Sequence, residues 1–278
     1  YYGVHYELQQ TSIGCQYPDL TEDLIRTINN GVALINYIGH GSPETWAGEK
    51  IITKSRDLPL IQVDDGKLAI WVAGTCSFGK YNDENSFMEE LLIKENGAIA
   101  VVATTDVVGY TENSNYLNNL FGLTTDSLNI EHMVRVGYNM RLGELNFYAK
   151  NGNFYKFHTF GDPALHLPFP KYANDIFETP DSIAIVEEGN ITVDGTSANS
   201  TLLIRGKDKE ITYDYGSNSL VYTVPGETYA QMNSDDSDIC FRIPLDANTC
   251  DSCAVMQVYQ DDANGQNGRI QTSQNISI

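Results

Sequence analysis

Ala33-Leu34-Ile35-Asn36-Tyr37-Ile38-Gly39-His40-Gly41-Ser42 and Leu68-Ala69-Ile70-Trp71-Val72-Ala73-Gly74-Thr75-Cys76-Ser77 are the two stretches that decide how this chain folds. Each opens on a short, β-rich apolar run and closes on a glycine-containing turn, the pattern of a strand buried on both faces of a parallel sheet. The turns deliver a histidine and a thiol to the carboxyl ends of two strands, the edge of an open parallel sheet where sites assemble. Cysteine with histidine is a nucleophile with its base, because imidazole stabilises the attacking thiolate. Taken singly, Cys76 reads as a small core hydrophobe and His40 as a hydrogen-bonded turn residue. Their shared topological position argues for a pair, and the glycines flanking His40 let the backbone turn sharply and approach a ligand closely.

Asn36-Tyr37-Ile38-Gly39-His40-Gly41-Ser42, then Trp46-Ala47, then Gly74-Thr75-Cys76 resemble the catalytic region of the gingipain-type cysteine peptidases, a family with a caspase-like fold. Gly97-Ala98-Ile99-Ala100 with Ala103-Thr104-Thr105, and Phe160-Gly161-Asp162-Pro163-Ala164-Leu165, most resemble the sortase-like signal peptidases of bacterial type IX secretion. The resemblance covers roughly residues 20–172. It implies an α/β, caspase-like parallel-sheet peptidase domain with His40 and Cys76 as its dyad. It also implies secreted proteins as substrates, a surface glycolipid as acceptor if the acyl-enzyme is resolved by transfer, and secretion-system or surface-complex partners. In this family an acidic residue well upstream orients the histidine. Few residues precede His40, so that residue and the first strands are expected outside this chain, unless Glu44 or a backbone carbonyl takes the role.

The chain of 278 residues is long enough for two domains. We place the peptidase domain at residues 1–172 and an immunoglobulin-like β-sandwich at residues 173–278. The sandwich is expected to pack beneath the peptidase domain or to bind a partner. Net charge is −20, from 17 basic and 37 acidic residues, which excludes a nucleic-acid groove and an anionic membrane surface as partners. A solubilising surface explains the acidity, and calcium is admitted as a structural ion. No stretch approaches membrane-spanning length, and Tyr1 does not open a secretory leader, so a soluble, mature or excised chain of secreted or outer-membrane-surface location is expected.

Cys240, Cys250 and Cys253 cluster near the end. Zinc would need a histidine beside them and none follows His166, so a disulfide of Cys240 with Cys250 or Cys253 is favoured. His132, His158 and His166 lack metal-type spacing and read as packed or hydrogen-bonded residues, so no metal site is assigned.

In chain order, residues 1–19 read as irregular structure or an edge strand, and Thr21 as the N-cap of a helix ending at Gly31. A long connection over residues 42–66 contains Trp46, a helical turn near Leu58–Ile61 and the turn Asp64-Asp65-Gly66. Trp46 either lines a substrate cleft or caps the core. Ser86–Lys94 is a helix, and Ala98–Ala103 a third buried strand. The end of that strand carries Thr104, Thr105, Asp106 and then Tyr110, candidates for the wall of a substrate pocket. Among them Tyr110 is the nearest match to the aromatic residue that lines the family's pocket. Helices are expected near Asn115–Phe121 and Ile130–Asn146, with an aromatic strand and turn over Phe154–Leu167. Beyond Pro168-Phe169-Pro170 and Pro180, helical periodicity gives way to short alternating runs: residues 183–186, 191–193, 201–204, 220–224, 240–243 and 255–259.

These residues define a cysteine endopeptidase or transpeptidase. Cys76 would attack a peptide carbonyl and His40 would act as base and then acid. The N–H groups of Gly41 and Cys76 would hold the oxyanion. Trp46, Thr105, Asp106 and Tyr110 would contact the polypeptide substrate. The rival is a non-catalytic interaction module on the same scaffold.

Overall fold

A computed structural model describes residues 6–63, 67–82, 85–121, 141–150, 155–165, 171–185, 188–194, 199–215, 218–224, 226–245, 247, 251–261 and 268–278. The chain divides into two compact units, Tyr1–Pro168 and Phe169–Ile278.

The first unit begins with a small hairpin, β1 (Gln9–Thr11) and β2 (Gly14–Gln16), followed by α1 (Pro18–Asn30). The helix starts three residues before Thr21, because proline's fixed φ suits the first helical turn and Pro18 occupies it. The Thr21 hydroxyl donates inward to the Ile51 carbonyl at 2.7 Å instead of capping. Ile25 and Ile28 are buried, with Leu24 packed beside them.

Strand β3 (Leu34–Ile38) leads into the 42–63 connection, which is largely ordered by the chain itself. β4 (Thr45–Trp46) pairs with β5 (Ile52–Thr53), and α2 (Lys54–Asp57) continues into a 3-10 turn over Leu58–Leu60. The fully buried Asp57 carboxylate organises this segment. It accepts from Thr53 N–H at 2.6 Å and from Arg56 Nε and Nη2 at 2.7 and 2.8 Å. Arg56 Nη2 also donates to the Lys50 carbonyl at 2.7 Å, so one bidentate pair anchors the turn and the second strand of the hairpin.

Next come β6 (Ala69–Gly74), α3 (Phe87–Ile93) and β7 (Ala98–Thr104), the expected strand–helix–strand unit. Ser86 and Glu89 close a capping box on α3. α4 (Tyr110–Leu120) starts five residues before the expected Asn115, with the Glu112 carboxylate accepting from Gly109 N–H at 3.1 Å. α5 (Leu142–Lys150) extends past the expected end at Asn146, and β8 (Phe157–Gly161) completes the sheet. The expected turn at Asp64-Asp65-Gly66, the helix start at Ile130, His132, His166 and the Pro168–Pro170 boundary lie outside the described residues.

The four-stranded sheet runs β3-β6-β7-β8, with the first three strands parallel and β8 antiparallel. Both faces are covered, as a parallel sheet requires. Ile35, Trp71, Ala73, Val101 and Ala103 pack with α1, α3 and the 42–63 connection. Ile70, Val72, Ala100 and Val102 pack with α4 and α5 on the other face. There Tyr116 stacks on Phe157 with centroids 3.6 Å apart and donates to Asn146 Oδ1 at 2.7 Å, and Asn146 Nδ2 donates to Thr159 at 2.9 Å. Burial holds the Tyr116 phenol far above its ordinary value.

The second unit is all-β among its described residues. β9 (Lys171–Tyr172), β10 (Glu188–Thr192), β11 (Ser200–Gly206), β12 (Lys209–Tyr215), β13 (Asn218–Val224), β14 (Thr228–Ser234), β15 (Asp238–Arg242), β16 (Ala254–Gln260) and β17 (Arg269–Ile276) follow in order. They form a five-stranded sheet, β14-β11-β16-β17-β9, and two ribbons, β10-β15 and β12-β13. Lys171 and Tyr172 pair with Arg269 and Ile270, so they belong to this unit and the division falls ahead of Tyr172. Leu202, Ile204, Met256 and Val258 of the sheet share one core with Ile191, Ile239 and Phe241 of the β10-β15 ribbon. Of the expected run at residues 183–186, Ile185 forms an isolated bridge to Ile243, next to a bridge of Ser182 to Ser277, and Val186 lies outside the described residues.

The expected disulfide through Cys240 is not formed. Cys240 is free and exposed, because β15 alternates with Ile239 and Phe241 inward and so turns Cys240 outward. Cys253 is disulfide-bonded, and Cys250 lies outside the described residues.

Removing the Asp57 carboxylate leaves the Arg56 guanidinium without its counter-ion against the hairpin. Arg56 keeps part of its surface in water, so Asp57→Ala should cost about 3 kcal/mol, the low end for breaking a buried pair. Urea denaturation of the two proteins measures it, and a loss below about 1 kcal/mol would mean that the pair does not anchor the segment.

Candidate active site

Parallel pairing of β3 with β6 sets Leu34 opposite Ile70 and Ile38 opposite Gly74. His40 and Cys76 therefore lie two residues beyond the same rung, on neighbouring strands spaced about 4.8 Å apart. Gly39 N–H donates to the Gly74 carbonyl at 3.2 Å, carrying the pairing one step past the strand. Cys76 packs on the α4/α5 face, the face that even-numbered residues of both strands share.

The His40 turn rests on an aromatic stack. Tyr37 lies on Trp46 with centroids 4.6 Å apart and planes 7° from parallel, and Trp46 packs on Trp71 and Phe78. Trp46 is only 2% exposed, so of its two expected roles the structure gives it the core one, beneath the His40 turn. The His40 carbonyl accepts from Ala47 N–H and from the Tyr37 hydroxyl, both at 2.8 Å. Gly41 lies directly on Thr75, where an added Cβ would stand 2.1 Å from Thr75 Oγ1 and 3.1 Å from the Thr45 carbonyl. This close approach brings the two motifs together and explains the second glycine.

Cys76 is half-buried, and its Sγ donates to the Val108 carbonyl at 3.5 Å. Ser77 adopts φ +56°, a left-handed conformation uncommon outside glycine, immediately after the thiol. It is held there by its N–H, which donates to Thr104 Oγ1 and to the Asp106 carbonyl, both at 3.1 Å. The Thr104 hydroxyl donates in turn to the Thr75 carbonyl. The Gly74 carbonyl, already bonded to Gly39, also accepts from the buried Asn113 amide of α4.

The remaining sequence-predicted residues divide. Thr104 is fully buried and cannot wall a pocket, since its hydroxyl is spent on the backbone either side of Cys76. Thr105 is half-buried and bonds the Lys156 carbonyl through N–H and Oγ1 at 2.9 and 3.3 Å. Asp106 is exposed, its carboxylate accepting from Val107 N–H at 2.7 Å. Tyr110, at the start of α4, is 82% exposed. Glu44 is paired with Lys54 at 3.4 Å. Among the described residues the His40 imidazole has no hydrogen bond to Cys76 or to an acid, and the amides of Gly41 and Cys76 have no hydrogen-bond acceptor.

Two further positions bear on the site. His158, opposite Ala103 on β8, is held below the ordinary histidine value by burial, with Lys150's charge adding to the effect and a backbone hydrogen bond at Tyr155 opposing it. A small apolar pocket is lined by Leu34, Ile70, Val72, Leu120, Leu142 and Leu145, but Leu34 and Ile70 place it towards the opposite edge of the sheet from His40.

Tyr37 and Asn113 were not singled out from the sequence. For Tyr37 a signal existed, since a tyrosine in a buried strand needs a partner for its hydroxyl.

The sheet and the paired motifs at its edge define a cysteine-peptidase scaffold. The sequence profile of peptidase family C25 matches residues 1–168, and the chain belongs to this gingipain-type family of cysteine peptidases. Solved structures of similar shape include the complex of Porphyromonas gingivalis RgpB pro- and mature domains, at 16% identity and TM-score 0.42, covering 92% of this chain and 57% of that one. Dimeric latent PorU from Porphyromonas gingivalis matches at 14% identity and TM-score 0.31, covering 49% of this chain and 16% of that one. The chain thus spans little more than half the length of the first of these. No curated protein matches the sequence.

Gly41→Ala should destabilise the protein by about 1–3 kcal/mol through overpacking against Thr75. Adding Thr75→Ala removes the nearest atom and should recover a large part of that loss, which a double-mutant cycle in urea measures. Absence of coupling would place the clash elsewhere.

Because His158's folded value is lowered, its contribution to stability is full above the unfolded value near 6.5 and is lost as pH falls below it. His158→Gln should therefore flatten the fall in stability as pH drops below about 6.5, read from thermal midpoints. An unchanged slope would show that other groups govern acid sensitivity.

Proposed function

We propose that this chain is the catalytic portion of a gingipain-type cysteine endopeptidase working through a Cys76–His40 dyad. The observation that carries this is the shared rung: the register sets Ile38 opposite Gly74 and so puts both motifs at one corner of the sheet. Cys76 attacks the carbonyl carbon of a polypeptide, and the two carbonyl π electrons move to oxygen. The Gly41 and Cys76 N–H groups, free of other acceptors, donate to that oxyanion. His40 accepts the thiol proton and later delivers it to the departing amine, leaving a thioester. Water then gives hydrolysis, and an amine acceptor gives transfer, the sortase-like outcome on secreted substrates at the bacterial surface. Thr105 and Asp106 lie on the loop joined to the Cys76 turn, Tyr110 opens the helix that follows, and all three are assigned to the substrate pocket. The chemistry requires no cofactor, and calcium is given at most a structural role. The all-β unit is taken as an immunoglobulin-like module that supports the peptidase or docks a secretion partner.

One observation favours the non-catalytic alternative: the Cys76 thiol is bonded to the Val108 carbonyl and not to His40. Labelling separates the two. Cys15 and Cys240 are free, exposed thiols that serve as internal references. Peptide chloromethylketones should modify Cys76 at least ~10-fold faster than either reference, and His40→Ala should abolish the preference, read by peptide mass spectrometry. Equal, slow modification of all three would sink the enzyme assignment.

A further inference from the structure

We propose that Tyr37 and Thr104 are positioning residues that aim the two oxyanion-binding amides by holding the carbonyl at the other end of each peptide. A trans peptide is planar, so fixing its C=O on one side fixes its N–H on the other. The His40–Gly41 peptide is held through the His40 carbonyl, which receives the Tyr37 hydroxyl and Ala47 N–H at 2.8 Å each. The Thr75–Cys76 peptide is held through the Thr75 carbonyl, which receives the Thr104 hydroxyl. In both cases the opposed N–H is left without an acceptor among the described residues.

The surroundings make these side chains stiff. Tyr37 is stacked at 7° on the buried Trp46 indole, which leaves its ring little rotational freedom. Thr104 is fully buried at the end of β7, and its oxygen also accepts Ser77 N–H at 3.1 Å, so the hydroxyl proton has one direction left, towards Thr75. One hydroxyl thereby spans the backbone on both sides of the thiol. Neither residue touches the reacting atoms. Each acts by removing orientational freedom from a dipole before charge appears, which is how preorganised donors lower a barrier.

The inference rests on the proposed acyl-transfer function, and the test separates failure of one from failure of the other. p-Nitrophenyl acetate and iodoacetamide are the probes, used on the full chain carrying Cys15→Ser and Cys240→Ser. With the ester, the Cys76 thiolate forms a C–S bond, the C–O bond breaks, and p-nitrophenolate leaves with the electron pair after an oxyanion has formed. With iodoacetamide, the thiolate displaces iodide at a saturated carbon and no oxyanion forms. Failure of the parent protein to acetylate Cys76 in a His40-dependent way would overturn the function and this inference with it.

Given an active parent, Thr104→Val should slow acetylation by about 10–100-fold, below the loss seen when an oxyanion donor is deleted outright. Thr104→Ser should stay within about 3-fold of the parent, and Tyr37→Phe, whose carbonyl keeps Ala47, should fall by about 3–10-fold. Alkylation by iodoacetamide should change by less than about 3-fold in all three. Equal losses with both probes would show a merely structural role, and unchanged acetylation in Thr104→Val and Tyr37→Phe would show that the amides are aimed without these hydroxyls. Should Thr104→Val not fold, Tyr37→Phe decides, since it keeps the ring on Trp46.

Discussion

The hydrogen bond from Gly39 N–H to the Gly74 carbonyl is the constraint on which the candidate site depends. It extends the β3–β6 pairing beyond the strands, and with it the register that makes His40 and Cys76 neighbours. Three elements meet at that one carbonyl: the His40 strand through Gly39, the Cys76 strand through Gly74 itself, and α4 through Asn113. A side chain at position 74 would occupy the space of Asn113 and Leu117, standing 2.7 and 2.6 Å from them. The glycine is thus required by packing of the helix on the strand end as well as by the turn.

From this junction the supports spread outward on both sides of the sheet. On one side lies the stack of Tyr37, Trp46, Trp71 and Phe78, with the charged anchor of Arg56 and Asp57 behind it. On the other lie Val108 and the helices α4 and α5, against which Cys76 packs. The backbone between these layers has few soft positions left, and the left-handed Ser77 marks where the chain leaves the nucleophile under constraint from Thr104 and Asp106.

Strands β6 and β7 were legible in the sequence because each is an uninterrupted apolar run ended by glycine or threonine, a signal local to the run; β3 shows the same ending but carries Asn36, and as the outer strand of its sheet it buries only Ile35. The edge positions of His40 and Cys76 followed from the same runs. What escaped depends on contacts between segments far apart in sequence. The burial of Thr104 reflects a hydroxyl reaching from β7 across to β6, and nothing beside it in the chain announces that bond. Trp46 suits a cleft and a core equally, and only the stack with Tyr37 and Trp71 decides. Cys240 was paired by proximity in sequence to other cysteines, whereas strand alternation sets the direction of its thiol. The early start of α1 shows a local rule overridden by another, proline's preset φ outweighing a threonine cap.

The two faces of the sheet are fastened by different chemistry. Behind the His40 turn the tie is ionic, between Arg56 and Asp57. On the Cys76 face it is a neutral relay in which Tyr116 donates to Asn146 and Asn146 to Thr159, joining α4, α5 and β8. With its phenol held far from ionisation by burial, Tyr116 stays a donor throughout the pH range in which the protein folds, which fixes the amide of Asn146 and the polarity of the whole relay. Ionic strength and acid therefore act on the Arg56–Asp57 tie, whereas the Tyr116–Asn146–Thr159 relay carries no charge for salt to screen or acid to remove.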